Sequence, residues 1–194
     1  MKRFVTLMFM LLFAAGIVFA KDDYHGDIQI HFGVGFDSME TDAEKSYATL
    51  YDIDLDTWNL FDLNNMISVG FLAGFNGGLG ETTKVVQKSD GSESKSDVVI
   101  AMHCNFLIGP AVGIDIFDII RFNVGAGLAY EFALNENGLA GLGFGTDIQA
   151  KFIPNRKVSP VLGYRFQIVK GLFGDSKTSK YFNNKVYAGI SFNW

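Results

Sequence analysis

The 194-residue chain has one cysteine, Cys104, so it can form no internal disulfide and its fold must hold without covalent staples. It has no basic block, and an acidic balance of 21 Asp and Glu against 16 Lys and Arg removes the electrostatic case for a nucleic-acid partner. After the first 20 residues it also lacks any apolar run of the length, roughly 20 residues, that a membrane helix needs. Yet 48% of its residues are apolar, with 19 Phe, 22 Gly and only three Pro. Apolar content without helical length points to membrane strands, in which lipid-facing residues occupy every second position.

The exception is the start. Lys2-Arg3 precedes an apolar run from Phe4 to Ala20, with small residues at Val18 and Ala20. That is the pattern of a secretory signal peptide at 1–20, leaving a single mature domain at 21–194. No cysteine lies near the cut, which excludes an N-terminal lipid anchor. Removing Lys2 and Arg3 leaves 14 basic against 21 acidic residues, a mature net charge of -7.

The mature chain alternates with period two. Ile28, Ile30, Phe32, Val34 and Phe36 face one way and Gln29, His31, Gly33, Gly35 and Asp37 the other, over the length of a tilted membrane strand. Similar alternation follows in seven more stretches: 51–58, 66–80, 98–109, 121–134, 142–152, 160–168 and 186–194. Loops are expected at 38–48, 81–97 and 170–184, with short turns around Phe61-Asp62-Leu63 and Phe117-Asp118-Ile119. The expected fold is all-β, an eight-stranded antiparallel up-and-down transmembrane barrel. A lipocalin-like barrel would alternate too, but its apolar face would point inward. Here that face carries aromatics on nearly every strand, too bulky for an eight-stranded lumen.

The polar face then lines the lumen. Its expected members include His31, Asp52, Asp54, Asp56, His103, Arg121, Glu131, Asp147, Lys151 and Arg165. Two readings of Asp52, Asp54 and Asp56 stand side by side: pairing with Arg121, Lys151, Arg165 or Lys185, or a lining that attracts and conducts cations. The Asp-x-Asp-x-Asp spacing does not make an EF-hand, because Thr57 stands where Gly is needed and Leu63 where Glu is needed. His31 and His103 lack a third ligand at a matching position for zinc. The Gly-rich runs 74–80 and 141–145 are followed by no helix that could receive phosphate. No catalytic cluster is legible, so neither enzymatic activity nor a cofactor is expected.

The last residues carry a resemblance. Gly189-Ile190-Ser191-Phe192-Asn193-Trp194 resembles the C-terminal β-signal of bacterial outer-membrane proteins, with aromatics at alternating positions and a final Trp where Phe is commonest. With the leader and strand count, the mature chain looks like the small eight-stranded barrels typified by OmpW, OmpX and the OmpA barrel. The resemblance implies residence in the outer membrane, contact with its lipid, and recognition of Gly189, Phe192 and Trp194 by the barrel-assembly machinery. An OmpW-like role implies a narrow, porin-like channel for small, hydrophobic solutes. An OmpX-like role implies a non-conducting structural or adhesin-like barrel that presents its loops at the cell surface.

Overall fold

A computed structural model describes residues 24–40, 44–87, 93–95, 99–117, 119–134, 139–172 and 180–194. The expected signal peptide at 1–20, Asp118 and the tips of the longer connections lie outside the described residues. The strands are β1 (Tyr24–Glu40), β2 (Glu44–Asp62), β3 (Ile67–Gln87), β4 (Glu93–Lys95), β5 (Val99–Ile116), β6 (Ile120–Leu134), β7 (Leu139–Phe152), β8 (Val158–Gly171) and β9 (Lys180–Asn193). They form one sheet in the order β2-β1-β9-β8-β7-β6-β5-β3-β4, and β2 also pairs with β3. Eight staves thus close into an antiparallel up-and-down barrel. The three-residue β4 only prolongs the β5 side of the β3 ladder beyond Thr82↔Val99, through Val85↔Lys95 to Gln87↔Glu93.

The barrel is an inverted globule. Among the described residues, 25 buried side chains are polar or charged and 14 are apolar. The exterior carries Phe32 at 65% exposure, Tyr51 at 69% and Ile100 at 77%. A water-soluble protein would bury such groups, each worth about 1.5–3 kcal/mol. Lipid takes the place of the core here, and the closed ring satisfies every strand edge that hydrocarbon would otherwise strand.

Strands run longer than the period-two stretches. Residues 38–40 and 45–48 pair with each other between β1 and β2, and 81–87 belong to β3. Residues 170–171 end β8, and 180–184 open β9. The described parts of the expected loops 38–48, 81–97 and 170–184 are therefore almost all strand. Above the lipid a strand has no apolar side to keep, so its ladder continues through sequence that reads as polar loop. At the opposite rim, Phe61-Asp62 belongs to β2, and the turn proper begins at Leu63.

That opposite rim is tight. Asn64 Oδ1 accepts from the backbone N–H groups of Met66 and Ile67, both at 2.9 Å, fixing the β2–β3 turn. The next turns use left-handed residues without glycine, Phe117 (φ 52°) and Ile153 (φ 53°). Bonds from Asp115 N to Met66 O (2.8 Å) and from Ile153 N to Ile119 O (2.6 Å) tie the three turns into one rim.

Candidate functional site: the charged lumen

Inward positions alternate along every stave, so the lumen is built in tiers from residues distant in sequence. Nearest the turns, Asp27 on β1 accepts from Lys151 Nζ (2.5 Å), Gln29 Nε2 (2.8 Å), Ser191 Oγ (2.9 Å) and the Trp58 backbone N–H (3.1 Å). Arg121 makes a two-pronged contact with Asp115, Nε to Oδ1 at 2.7 Å and Nη2 to Oδ2 at 2.5 Å. Neither Arg121 nor Lys151 reaches the β2 aspartates. Both sit near the turn rim, where their register partners are each other, and closer carboxylates take them.

The middle tier centres on Arg165, which is fully buried. Its Nε donates to Asp147 Oδ2 at 2.6 Å, its Nη2 donates to Asp56, and its guanidinium lies 5.9 Å from the Tyr187 ring centre. Tyr187 donates its hydroxyl to Asp147 and stacks on His31 with ring centroids 4.4 Å apart. His31 in turn bonds Gln29 (2.8 Å) and places Nδ1 3.3 Å from Asp56. Gly163 makes this possible: the Tyr187 ring lies where any Cβ at 163 would project. One tier up, Asp54 accepts from Lys185 and from Asn76. Asn105 Nδ2 donates to Asn76 Oδ1 at 2.9 Å, continuing the chain.

Near the loop side, one imidazole gathers three acids. His103 Nε2 lies 2.8 Å from Asp52, while its Nδ1 has the Tyr181 hydroxyl at 3.1 Å, Glu131 at 3.2 Å and Asp37 at 3.4 Å. One ring nitrogen cannot serve three oxygens, and Tyr181 and Asn183 meet part of the demand by donating to Asp37. A void of about 20 Å³, room for about one water, lies against Asp37, His103 and Tyr181.

All ten residues expected in the lumen are buried, at no more than 4% exposure. The structure joins Asp56, Asp147 and Arg165 in one cluster and Asp52, His103 and Glu131 in another. It does not bring the two histidines together. Among the described residues, no three His, Cys, Asp or Glu side chains are placed to hold a metal ion. Lys185, an expected partner of the aspartates, does meet Asp54. Asp27, Asp37, Tyr181 and Tyr187 share the network without being singled out as candidates beforehand. Their signal was available for Asp27, Asp37 and Tyr187, which sit on polar faces of clean alternating stretches. Tyr181 had none, because 170–184 reads as loop.

The turn-side half also holds apolar bulk. Trp58, Leu60 and Leu72 are buried at 2% or less. The indole N–H of Trp58 and the amides of Asn123 and Gln149 there have no hydrogen-bond partner in the protein.

No protein-family model matches this chain, and no curated protein does. Solved structures do. The outer-membrane protein OprG from Pseudomonas aeruginosa superposes with a TM-score of 0.52 at 9% identity, covering 90% of this chain and 97% of that one. Neisserial surface protein A gives 0.48 at 11% identity, over 89% and 98%. The likeness to OprG is one of fold, and it agrees with the closed ring and inverted surface. The chain has the fold of a small, eight-stranded outer-membrane β-barrel.

Proposed function

We propose that this chain is an integral bacterial outer-membrane protein whose barrel does not conduct, serving as a structural or surface-interaction element. The observation that carries the reading is the set of bonds across the lumen. Asp27–Lys151 spans β1 to β7, Asp56–Arg165 spans β2 to β8, and Asp54–Lys185 spans β2 to β9. His103–Asp52 and His103–Tyr181 then bridge β5 to β2 and β9. Bonded tiers at successive heights cross the lumen where a hydrated solute would have to pass, and buried pairs of this kind resist opening because each partner would lose its counter-charge. Outer-membrane residence is supported by the signal-peptide pattern of the sequence at 1–20, the exposed apolar belt and the fold.

A second reading, an OmpW-like narrow conduit for small hydrophobic solutes, is favoured by the unpartnered Trp58, Asn123 and Gln149 groups, which would gain from solvent in the turn-side half. Conductance of the refolded barrel in planar bilayers separates the two. No discrete steps are expected at any voltage the membrane survives, and reproducible unitary steps would replace the sealed-lumen reading with the conduit.

The closing strand supports a further part of the proposal. β9 pairs with β1 from Asp27↔Asn193 to Glu40↔Lys180 and so removes the last open edges. Beyond it, Trp194 N donates to Gly26 O at 3.1 Å, and the indole covers Gly26 where a side chain would stand. Gly189, Phe192 and Trp194 thus occupy the seam that closes the ring, in keeping with a role as the assembly signal.

A further inference from the structure

Outside the barrel, on the loop side, β1, β2 and β3 form a groove of about 450 Å³ lined by Phe36, Ser38, Tyr47, Thr49, Glu81 and Thr83. Register fixes its plan. Phe36, Thr49 and Glu81 are direct neighbours in one row, and Ser38, Tyr47 and Thr83 in the next. Small hydroxyl residues make the floor, with two aromatic rings and one carboxylate as walls. Phe36 is 59% exposed and Tyr47 54%, so both rings stand free of the protein interior.

The charge of the groove is one-sided. Asp37 also borders it, but its carboxylate is buried on the lumen side, bonded to Tyr181 and Asn183. Lys45, one row above Tyr47 on the same face, is held by Glu40 at 2.9 Å. Glu81 is therefore the charged side chain that the groove's lining turns outward. A groove that presents a carboxylate together with two aromatic rings attracts an organic ammonium group and repels an anion. The row below, Val34–Tyr51–Leu79, is exposed and opens the lipid-facing belt. The groove thus stands where a lipid headgroup would sit, with a track for acyl chains beneath it.

We propose that this groove binds the amine-bearing headgroup of a membrane phospholipid. Glu81 takes the ammonium, Phe36 and Tyr47 flank it, the hydroxyls of Ser38, Thr49 and Thr83 meet the phosphate and glycerol oxygens, and the acyl chains lie along Val34, Tyr51 and Leu79. The site needs only the lipid-facing exterior, so it stands or falls independently of the sealed lumen.

Native mass spectrometry of the barrel released from a neutral maltoside detergent tests this, with phosphatidylethanolamine or phosphatidylglycerol of identical acyl chains added at equal concentration. The expected result is about fivefold greater retention of phosphatidylethanolamine, with the excess lost in Glu81→Gln and reduced in Tyr47→Leu, as removal of one exposed ion pair or one cation–π wall implies. Both positions point out of the barrel, and heat-modifiable gel mobility verifies that each variant is folded. Equal retention of the two lipids, or undiminished phosphatidylethanolamine binding by folded Glu81→Gln, would overturn the assignment.

Discussion

Replacing Arg165 by methionine keeps most of the side-chain volume and removes the guanidinium from the centre of the lumen. Two acids depend on that group, Asp147 at 2.6 Å and Asp56, and all three residues are fully buried. Removing one partner of a buried ion pair costs about 3–5 kcal/mol, because the other charge is left in a medium that cannot solvate it. Here each acid retains one other polar neighbour, Tyr187 for Asp147 and His31 for Asp56. The expected loss is accordingly about 4 kcal/mol rather than the sum of two broken pairs. Arg121→Ala is the internal comparison. Its partner Asp115 keeps 15% of its side-chain surface exposed at the rim, so rehydration limits the loss to about 1–2 kcal/mol. Adding Asp147→Asn to Arg165→Met should recover about 1–2 kcal/mol, since it removes one of the stranded charges. Urea unfolding of barrels refolded into vesicles gives these values from the emission of the two tryptophans, Trp58 in the lumen and Trp194 at the seam. Loss of the fast-migrating band on unheated gels gives an independent midpoint. If Arg165→Met cost no more than Arg121→Ala, the central cluster would not be what holds the staves together.

Gly163→Ala places a methyl group against the Tyr187 ring, and should cost about 1–3 kcal/mol by overpacking while shifting the His31 imidazole resonances; an unshifted spectrum would mean that the ring is free to move. Deleting 192–194 removes the Asn193 amide bonds to Ser159 Oγ (2.9 Å) and Pro154 O (3.1 Å) along with the Trp194 contact to Gly26. The truncated chain should accumulate unassembled when exported, and normal levels of folded protein in the outer membrane would remove the seam from the assembly signal.

The lipid-facing half of the fold is legible because hydrocarbon imposes one rule at every second residue. Ile28 through Phe36 obey it, as do Phe122 through Phe132. Where lipid ends, the rule ends, and the paired residues 44–48 and 180–184 look no different from loop. The lumen is legible by side and not by partner. Which acid meets which base depends on the stagger of strands that are far apart in sequence, such as Asp27 with Lys151 or Asp56 with Arg165. A period-two pattern carries no information about that stagger. Thus Arg121 was as reasonable a partner for Asp54 as Lys185, until the register set Arg121 beside Asp115.

The staves are unequal in length: β3 has 21 residues and β2 has 19, whereas β7, β8 and β9 have 14 each. Seven extra residues at about 3.3 Å each, inclined by about 45°, raise one wall roughly 16 Å above the other. Seen from above, the described strands form a parapet on one flank and a low sill on the opposite one. Anything approaching along the membrane plane meets a different object depending on its bearing, so rotation of the barrel about its own axis becomes a variable that neighbouring molecules can sense.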